Sequence, residues 1–269
     1  MADSPLTTAL AAAAAEGRAA LIGYLPAGFP TVDGAIAALN ALVEGGCDVV
    51  EVGLPHSDPV LDGAVIQTAD DLALRGGVRT RDVLRTVAEV AAAHPGVPVL
   101  VMTYWNPVDR YGPERFAADL AEAGGAGCIL PDLPVEESAR WRSAAAEHGL
   151  DTVFVVAPSS TDARLAQVTA AGSGFVYAAA VMGVTGARDA VGPAAAELVA
   201  RTRAVTALPV CVGLGVSDAR QAAQVAAFAD GVIVGTAFVR RLLDADRLET
   251  GVAEVRSLAA ELAGGVRRK

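Results

Sequence analysis

The chain has 269 residues, 53% apolar but only 4% aromatic, a composition that builds a substantial core from small helix-packing residues around branched strands. Its 31 acids against 21 bases leave a net charge of −10, and no basic run exceeds the terminal Arg267-Arg268-Lys269, which argues against a nucleic-acid binder. In so acidic a chain an anionic ligand must be held locally, by backbone N–H groups or helix ends.

Residues 9–15 are apolar, but Asp3 precedes them and no Lys or Arg forms a positive flank. An amphipathic N-terminal helix within 1–18 is expected rather than a signal peptide. Short β-branched or apolar runs then recur at 20–25, 48–53, 97–103, 127–130, 152–156, 174–179, 209–213 and 231–235. Segments of helical periodicity lie between them, at 32–44, 80–93, 113–123, 135–148 and 216–227, and a last one follows at 247–262. Residues 165–187 carry no charge, yet Gln167, Thr169, Ser173, Thr185 and four glycines favour a buried strand between two loops over a membrane span. From Gly264 a flexible tail is expected.

Strands separated by helix-length connections run parallel. Eight such units without a composition break predict a single (β/α)8 TIM barrel over 1–269, with additional N- and C-terminal helices and 264–269 as the tail. A doubly wound sheet is the alternative, weakened because no GxGxxG opens the first unit. Cys47, Cys128 and Cys211 are far apart and lack CxxC or Cys/His spacing. They read as small buried hydrophobes in a reducing cytoplasm, with no metal expected.

Function in a barrel collects at the C-terminal strand ends, where this chain places its unusual residues. Glu51 ends an apolar strand, and burial raises a carboxyl pKa toward neutrality. Asp62 follows on a Pro- and Gly-punctuated loop, and Asp132 follows the fourth strand. Gly213-Leu214-Gly215-Val216-Ser217-Asp218 and Gly231-Val232-Ile233-Val234-Gly235-Thr236 each end a strand and open a helix. A single such turn needs no ligand to explain it. Two in succession, at the loops where barrels hold phosphate, point to a phosphorylated small molecule bound by backbone N–H groups.

The run Val50-Glu51-Val52-Gly53-Leu54-Pro55-His56-Ser57-Asp58-Pro59-Val60-Leu61-Asp62-Gly63 closely resembles the signature of the tryptophan synthase alpha subunit family. Further matches follow in order: Tyr24-Leu25-Pro26-Ala27-Gly28, Met102-Thr103-Tyr104-Trp105-Asn106-Pro107, Leu130-Pro131-Asp132-Leu133-Pro134 and Gly183-Val184-Thr185-Gly186. The resemblance implies a lyase that cleaves indole-3-glycerol phosphate to indole and glyceraldehyde 3-phosphate by a retro-aldol reaction. It implies Glu51 as general acid/base and Asp62 as second catalytic carboxylate. Tyr177, Thr185, Tyr24, Val101, Ile129, Val155 and Leu214 would line the substrate, and Gly186, Gly215, Gly235 and Thr236 would hold its phosphate. It also implies a cytoplasmic enzyme with no cofactor in this chain, docked in an α2β2 assembly on a β subunit that carries pyridoxal phosphate.

The other conspicuous residues read more plainly. His56 is taken as a loop-packing or interface residue, and His94 and His148 as solvent-facing residues at helix C-termini. Asp58 and Asp132 are structural or on the partner-facing rim. Two departures stand beside segments that move in the family: Ala64 where relatives usually carry Pro, and Ala180 where many carry Ser. A stand-alone indole-releasing lyase and a non-catalytic activating subunit remain as alternatives, the latter disfavoured by the intact Glu51 and Asp62. Phosphate-binding barrels of sugar isomerisation share the glycine turns and would not need the signature loop.

Overall fold

The computed structural model describes residues 4–179 and 193–267. Nine parallel strands lie within them: β1 Ala20–Pro26, β2 Val49–Gly53, β3 Val99–Met102, β4 Gly127–Ile129, β5 Asp151–Val153, β6 Val155–Val156, β7 Val176–Ala179, β8 Val210–Gly213 and β9 Gly231–Val234. The described helices are α1 Pro5–Ala15, α2 Val32–Glu44, α3 Ala64–Arg75, α4 Thr80–Ala93, α5 Trp105–Tyr111, α6 Pro113–Glu122, α7 Ala139–Glu147, α8 Asp162–Ala171, α9 Pro193–Arg203, α10 Ala219–Ala226, α11 Thr236–Asp244 and α12 Leu248–Val266.

The sheet order is β5-β4-β3-β2-β1-β9-β8-β7-β6. β5 and β6 are one barrel strand interrupted at Phe154, whose carbonyl accepts the Tyr177 N–H at 3.0 Å. Both outer strands of the order therefore belong to a single strand, and the sheet closes into the expected (β/α)8 barrel.

Residue parity sorts each strand into two faces. Ile22, Val49, Leu100, Ile129, Val153, Phe175, Cys211 and Ile233 form the barrel interior. Leu21, Val50, Val52, Val99, Val101, Val176, Val212 and Val232 belong to the layer between barrel and helices. With both faces buried the strands carry apolar residues continuously, as all-parallel sheets do.

Helix α1 forms the floor. Ser4 caps it by accepting the Thr7 N–H at 3.2 Å, and Pro5 occupies the first turn, where its missing donor costs nothing. Leu6, Leu10 and Ala13 then pack into the interior cluster, with each leucine contributing about 1.5–3 kcal/mol by burial. Ser4 Oγ also donates to Asp151 Oδ2 at 2.6 Å, tying the helix to β5. On the same end, Arg18 forks onto Asp48 at 2.7 and 2.8 Å, and Asp48 accepts the Leu21 N–H at 2.8 Å.

Two expectations need correction. Residues 165–171 lie in α8, where a loop was expected, because Thr161 caps that helix through the Arg164 N–H. The strand expected between two loops is Val176–Ala179. At the other end, α12 continues through Gly264 and Gly265 to Val266, so no tail begins at Gly264. Gly265 lets the helix lie directly on the Ala219 backbone, which a Cβ there would strike at 2.5 Å. Val266 is buried beside it.

Candidate active site

Glu51 sits third in β2 and points into the barrel. Its side chain has no solvent exposure, and among the described residues neither carboxyl oxygen has a hydrogen-bond partner. With nothing to stabilise a charge, burial pushes its pKa up to about 8. The proton stays on at neutrality.

Asp62 reaches the same space from the loop between β2 and α3. Tyr104 Oη donates to its Oδ2 at 3.1 Å and accepts the Leu61 N–H at 3.0 Å, so one phenol fixes both the carboxylate and its backbone. The His56 ring lies 4.6 Å from the Tyr104 ring, and His56 Nδ1 accepts the Asp58 N–H at 3.1 Å. His56 thus packs the loop, as expected. Burial raises the Asp62 pKa, while the Tyr104 hydrogen bond and His56 act to lower it. Asp62 is the better solvated of the two acids, and the pair has divergent environments.

A cavity of about 370 Å³ opens above the barrel, lined in part by Tyr24, Leu54, Asp62, Met102, Tyr177 and Leu214. Beside it, sharing the Tyr24, Asp62, Met102 and Tyr177 walls, is a recess of about 80 Å³ bounded by Glu51, Asp62, Tyr177, Gly215, Gly235 and Thr236. The buried glutamate and the glycine turns therefore face one recess. Tyr24 and Tyr177 line both cavities, and the surrounding glycines make room for their rings. A Cβ on Gly53 would collide with Tyr24 Oη, and one on Gly213 would come 2.5 Å from Tyr177 Oη. Burial, then the neighbouring carboxylates, hold both phenols above the usual tyrosine range.

Helix α11 starts at this recess. Gly235 is its N-cap and supplies no side chain, so the first-turn N–H groups at Thr236 and Ala237 face outward with the positive end of the helix dipole. The turn after β8 behaves differently, which corrects the expectation of two equivalent helix ends. Asp218 caps α10 by accepting the Gln221 N–H at 2.7 Å, and the Ser217 N–H goes to Gln221 Oε1 at 2.8 Å. A carboxylate already occupies that helix start. The turn contributes Gly215, with φ of +80°, and no anion-binding helix end.

Of the other expected residues, Tyr24, Val155, Tyr177 and Leu214 line the cavity. Val101 does not. It is fully buried in the layer under the helices, and its neighbour Met102 faces the cavity instead. Ile129 points inward but packs in the barrel interior, below the cavity lining. Thr185, Gly186 and Ala180 lie outside the described residues. Asp132 accepts the Trp105 N–H at 2.8 Å and so caps α5, a structural role. His148 is exposed, but His94 is half-buried and its Nε2 is enclosed without a partner among the described residues.

Besides Met102, the lining residues that were missed include Tyr104 and Asp70. Tyr104 sits inside a quoted motif, yet its bond to Asp62 spans 42 positions and no local pattern announces it. Asp70, on α3, is 3% exposed and lines the large cavity. Among the described residues no cluster of His, Cys, Asp or Glu is placed to hold a metal, and no helix is long and apolar enough to cross a membrane.

A closed barrel with a proton-holding glutamate facing an uncapped helix end agrees with the relatives this chain has. The family model described as tryptophan synthase alpha chain matches residues 10–267. The chain belongs to the tryptophan synthase alpha chain family. Its role is that family's, a lyase of tryptophan biosynthesis. Tryptophan synthase alpha chains of Streptomyces avermitilis and Streptomyces coelicolor are 73% and 72% identical over 262 residues, covering 97% of this chain and 94% and 96% of theirs. A Mycobacterium tuberculosis tryptophan synthase structure superposes with a TM-score of 0.92 at 54% identity, covering 98% of both chains. A Legionella pneumophila alpha subunit still reaches 0.90 at 30% identity, covering 98% of this chain and 99% of its own.

Proposed function

We propose that the chain cleaves indole-3-glycerol phosphate to indole and glyceraldehyde 3-phosphate, with Glu51 and Asp62 as its catalytic acids. The observation that carries this reading is the single space bounded by the unpartnered Glu51 carboxyl and the Gly235–Thr236 helix start. The phosphate sits on the backbone of Gly235, Thr236 and Gly215, and the family resemblance assigns Gly186 to the same task. The indole ring lies in the wider cavity against Tyr24, Tyr177, Val155, Leu214 and Met102, and the family resemblance adds Thr185.

The chemistry follows from that placement. Carbon 3 of indole leaves poorly as a carbanion, so it must be protonated before the carbon–carbon bond breaks. Glu51, neutral up to about pH 8, holds that proton. Protonation puts positive charge on the ring nitrogen, and the Asp62 carboxylate, held by Tyr104, stabilises it. The Glu51 carboxylate then takes the proton of the C3′ hydroxyl as the aldehyde forms. The glutamate ends as it began, and no redox change is required.

The chain needs no cofactor of its own in this scheme. Its partner is a β subunit carrying pyridoxal phosphate, in an α2β2 assembly. Val60 and Leu61, 73% and 44% exposed on the loop that carries Asp62, support a docking face there, since large apolar side chains at a cavity mouth favour a covering surface. A cytoplasmic location suits the three buried free thiols. Residues 1–269 are read as one barrel unit. The test is indole release from indole-3-glycerol phosphate by the purified chain, with and without a β subunit. Release that the β subunit accelerates supports the reading. Full release alone with no acceleration favours a stand-alone lyase, and none under either condition favours a non-catalytic subunit.

A further inference from the structure

Asp70 has no place in the scheme above. It is 3% exposed, and among the described residues its Oδ1 has no hydrogen-bond partner. Among the same residues its Oδ2 meets only the His56 N–H, at the long distance of 3.5 Å. Such a carboxyl is costly to bury, and α3 does not require it. Its neighbour Asp71 is exposed and pairs with Arg75 at 2.8 Å, as a helix-surface acid should.

The position of Asp70 along the cavity decides its partner. Gly235, Thr236 and Glu51 bound the small recess, Asp62 bounds both parts, and Asp70 bounds only the large one. A substrate with its phosphate at the recess and its reacting bond at Glu51 therefore extends its ring into the larger part, whose wall includes Asp62 and Asp70. Unsubstituted indole has one polar group, N1–H, which Asp62 serves. The benzo edge has nothing to offer a second carboxyl.

We infer that Asp70 makes this cavity favour, among substituted indole rings, those whose benzo edge carries a hydroxyl or amino group over those with an apolar one. The inference rests on the lyase reading and extends its substrate class. Burial and the Asp62 charge hold the Asp70 carboxyl protonated up to about pH 7. A neutral carboxyl both donates and accepts, so it can pair with a hydroxyl in either sense. An apolar substituent of similar size would leave Oδ1 unpaired, and sites built around a hydrogen bond discriminate strongly against analogues that lack it.

The experiment runs the reaction in the synthetic direction, condensing glyceraldehyde 3-phosphate with indole and with hydroxyindoles and methylindoles substituted at carbons 4 to 7. At one or more positions the wild-type chain should prefer the hydroxyl over the methyl compound by at least about 10-fold in kcat/KM, roughly 1.4 kcal/mol of discrimination. Asp70→Leu, close in size, should reduce that ratio below about 2-fold. Asp70→Ala is the second variant should leucine not fit. A wild-type ratio near one at all four positions, or a preference that survives either substitution, overturns the inference. Unsubstituted indole separates the two readings: failure to condense it would sink the lyase reading itself, whereas its normal condensation without a hydroxyl preference would sink only the role of Asp70.

Discussion

Replacing Glu51 by Gln should make the protein more resistant to alkaline unfolding while abolishing most of its activity. In the unfolded chain this carboxyl titrates near 4.5, and in the fold near 8. Below pH 4.5 both states hold the proton and stability is unaffected. Between 4.5 and 8 the unfolded chain releases its proton while the folded one keeps it, so every rise in pH favours unfolding. Above about 8 the loss is complete, and at ~1.4 kcal/mol per pH unit it amounts to roughly 5 kcal/mol. Gln cannot titrate. Its own burial cost is constant with pH, and Asp70 titrates in both proteins, so the difference between the two stability curves isolates Glu51.

Urea denaturation at pH 5.5 and 8.5 measures it. The stability of Glu51→Gln relative to wild type should rise by roughly 3 kcal/mol between those values, with turnover of indole-3-glycerol phosphate reduced at least about 100-fold. Parallel stability curves, within about 1 kcal/mol, would refute the inferred burial of an unpartnered carboxyl.

Other substitutions test the surrounding geometry. Tyr104→Phe removes the donor to Asp62 and the acceptor for Leu61, and should lower kcat/KM by roughly 10- to 100-fold, the range of a hydrogen bond to a charged group. Unchanged kinetics would show that Asp62 is held by something else. Met102→Ala should raise KM for the phosphorylated substrate, whereas Val101→Ala should mainly cost stability, by about 1–3 kcal/mol. A KM effect at Val101 larger than at Met102 would reverse the assigned strand faces. Ala64→Pro should add about 0.4–1 kcal/mol to stability in urea denaturation, because position 64 opens α3 and Gly63 before it is extended, with ψ of 163°. A destabilised variant would mean that the Ala64 N–H is needed.

How far the sequence reaches depends on whether the signal is local. Eight apolar runs spaced by helix-length segments were enough to read the barrel, and the fifth strand is interrupted only at Phe154. Glu51 was legible because an acid inside Val49–Gly53 contradicts its surroundings. Val101 was placed in the cavity by the family resemblance, and a strand buried on both faces has no alternation to correct that placement. Only pairing with β2 and β4 fixes which of Val101 and Met102 turns inward. Asp70 hid for the opposite reason: beside Asp71 it resembles ordinary helix-surface charge, and a turn of about 100° between neighbours separates a cavity wall from solvent. The α10 turn looked like a second phosphate cradle because its glycines resemble those near α11. Asp218 was in view, but whether it caps the helix or points away is a side-chain geometry that spacing does not specify.

The central claim is that one buried glutamate keeps its proton at neutral pH while facing the helix start at Gly235, the proposed phosphate site. Carboxyl 13C NMR of glutamate-labelled protein, with Glu51→Gln used to assign the resonance, measures this directly. A midpoint near 8 is the predicted result, and a midpoint near the ordinary 4.5 would contradict the account.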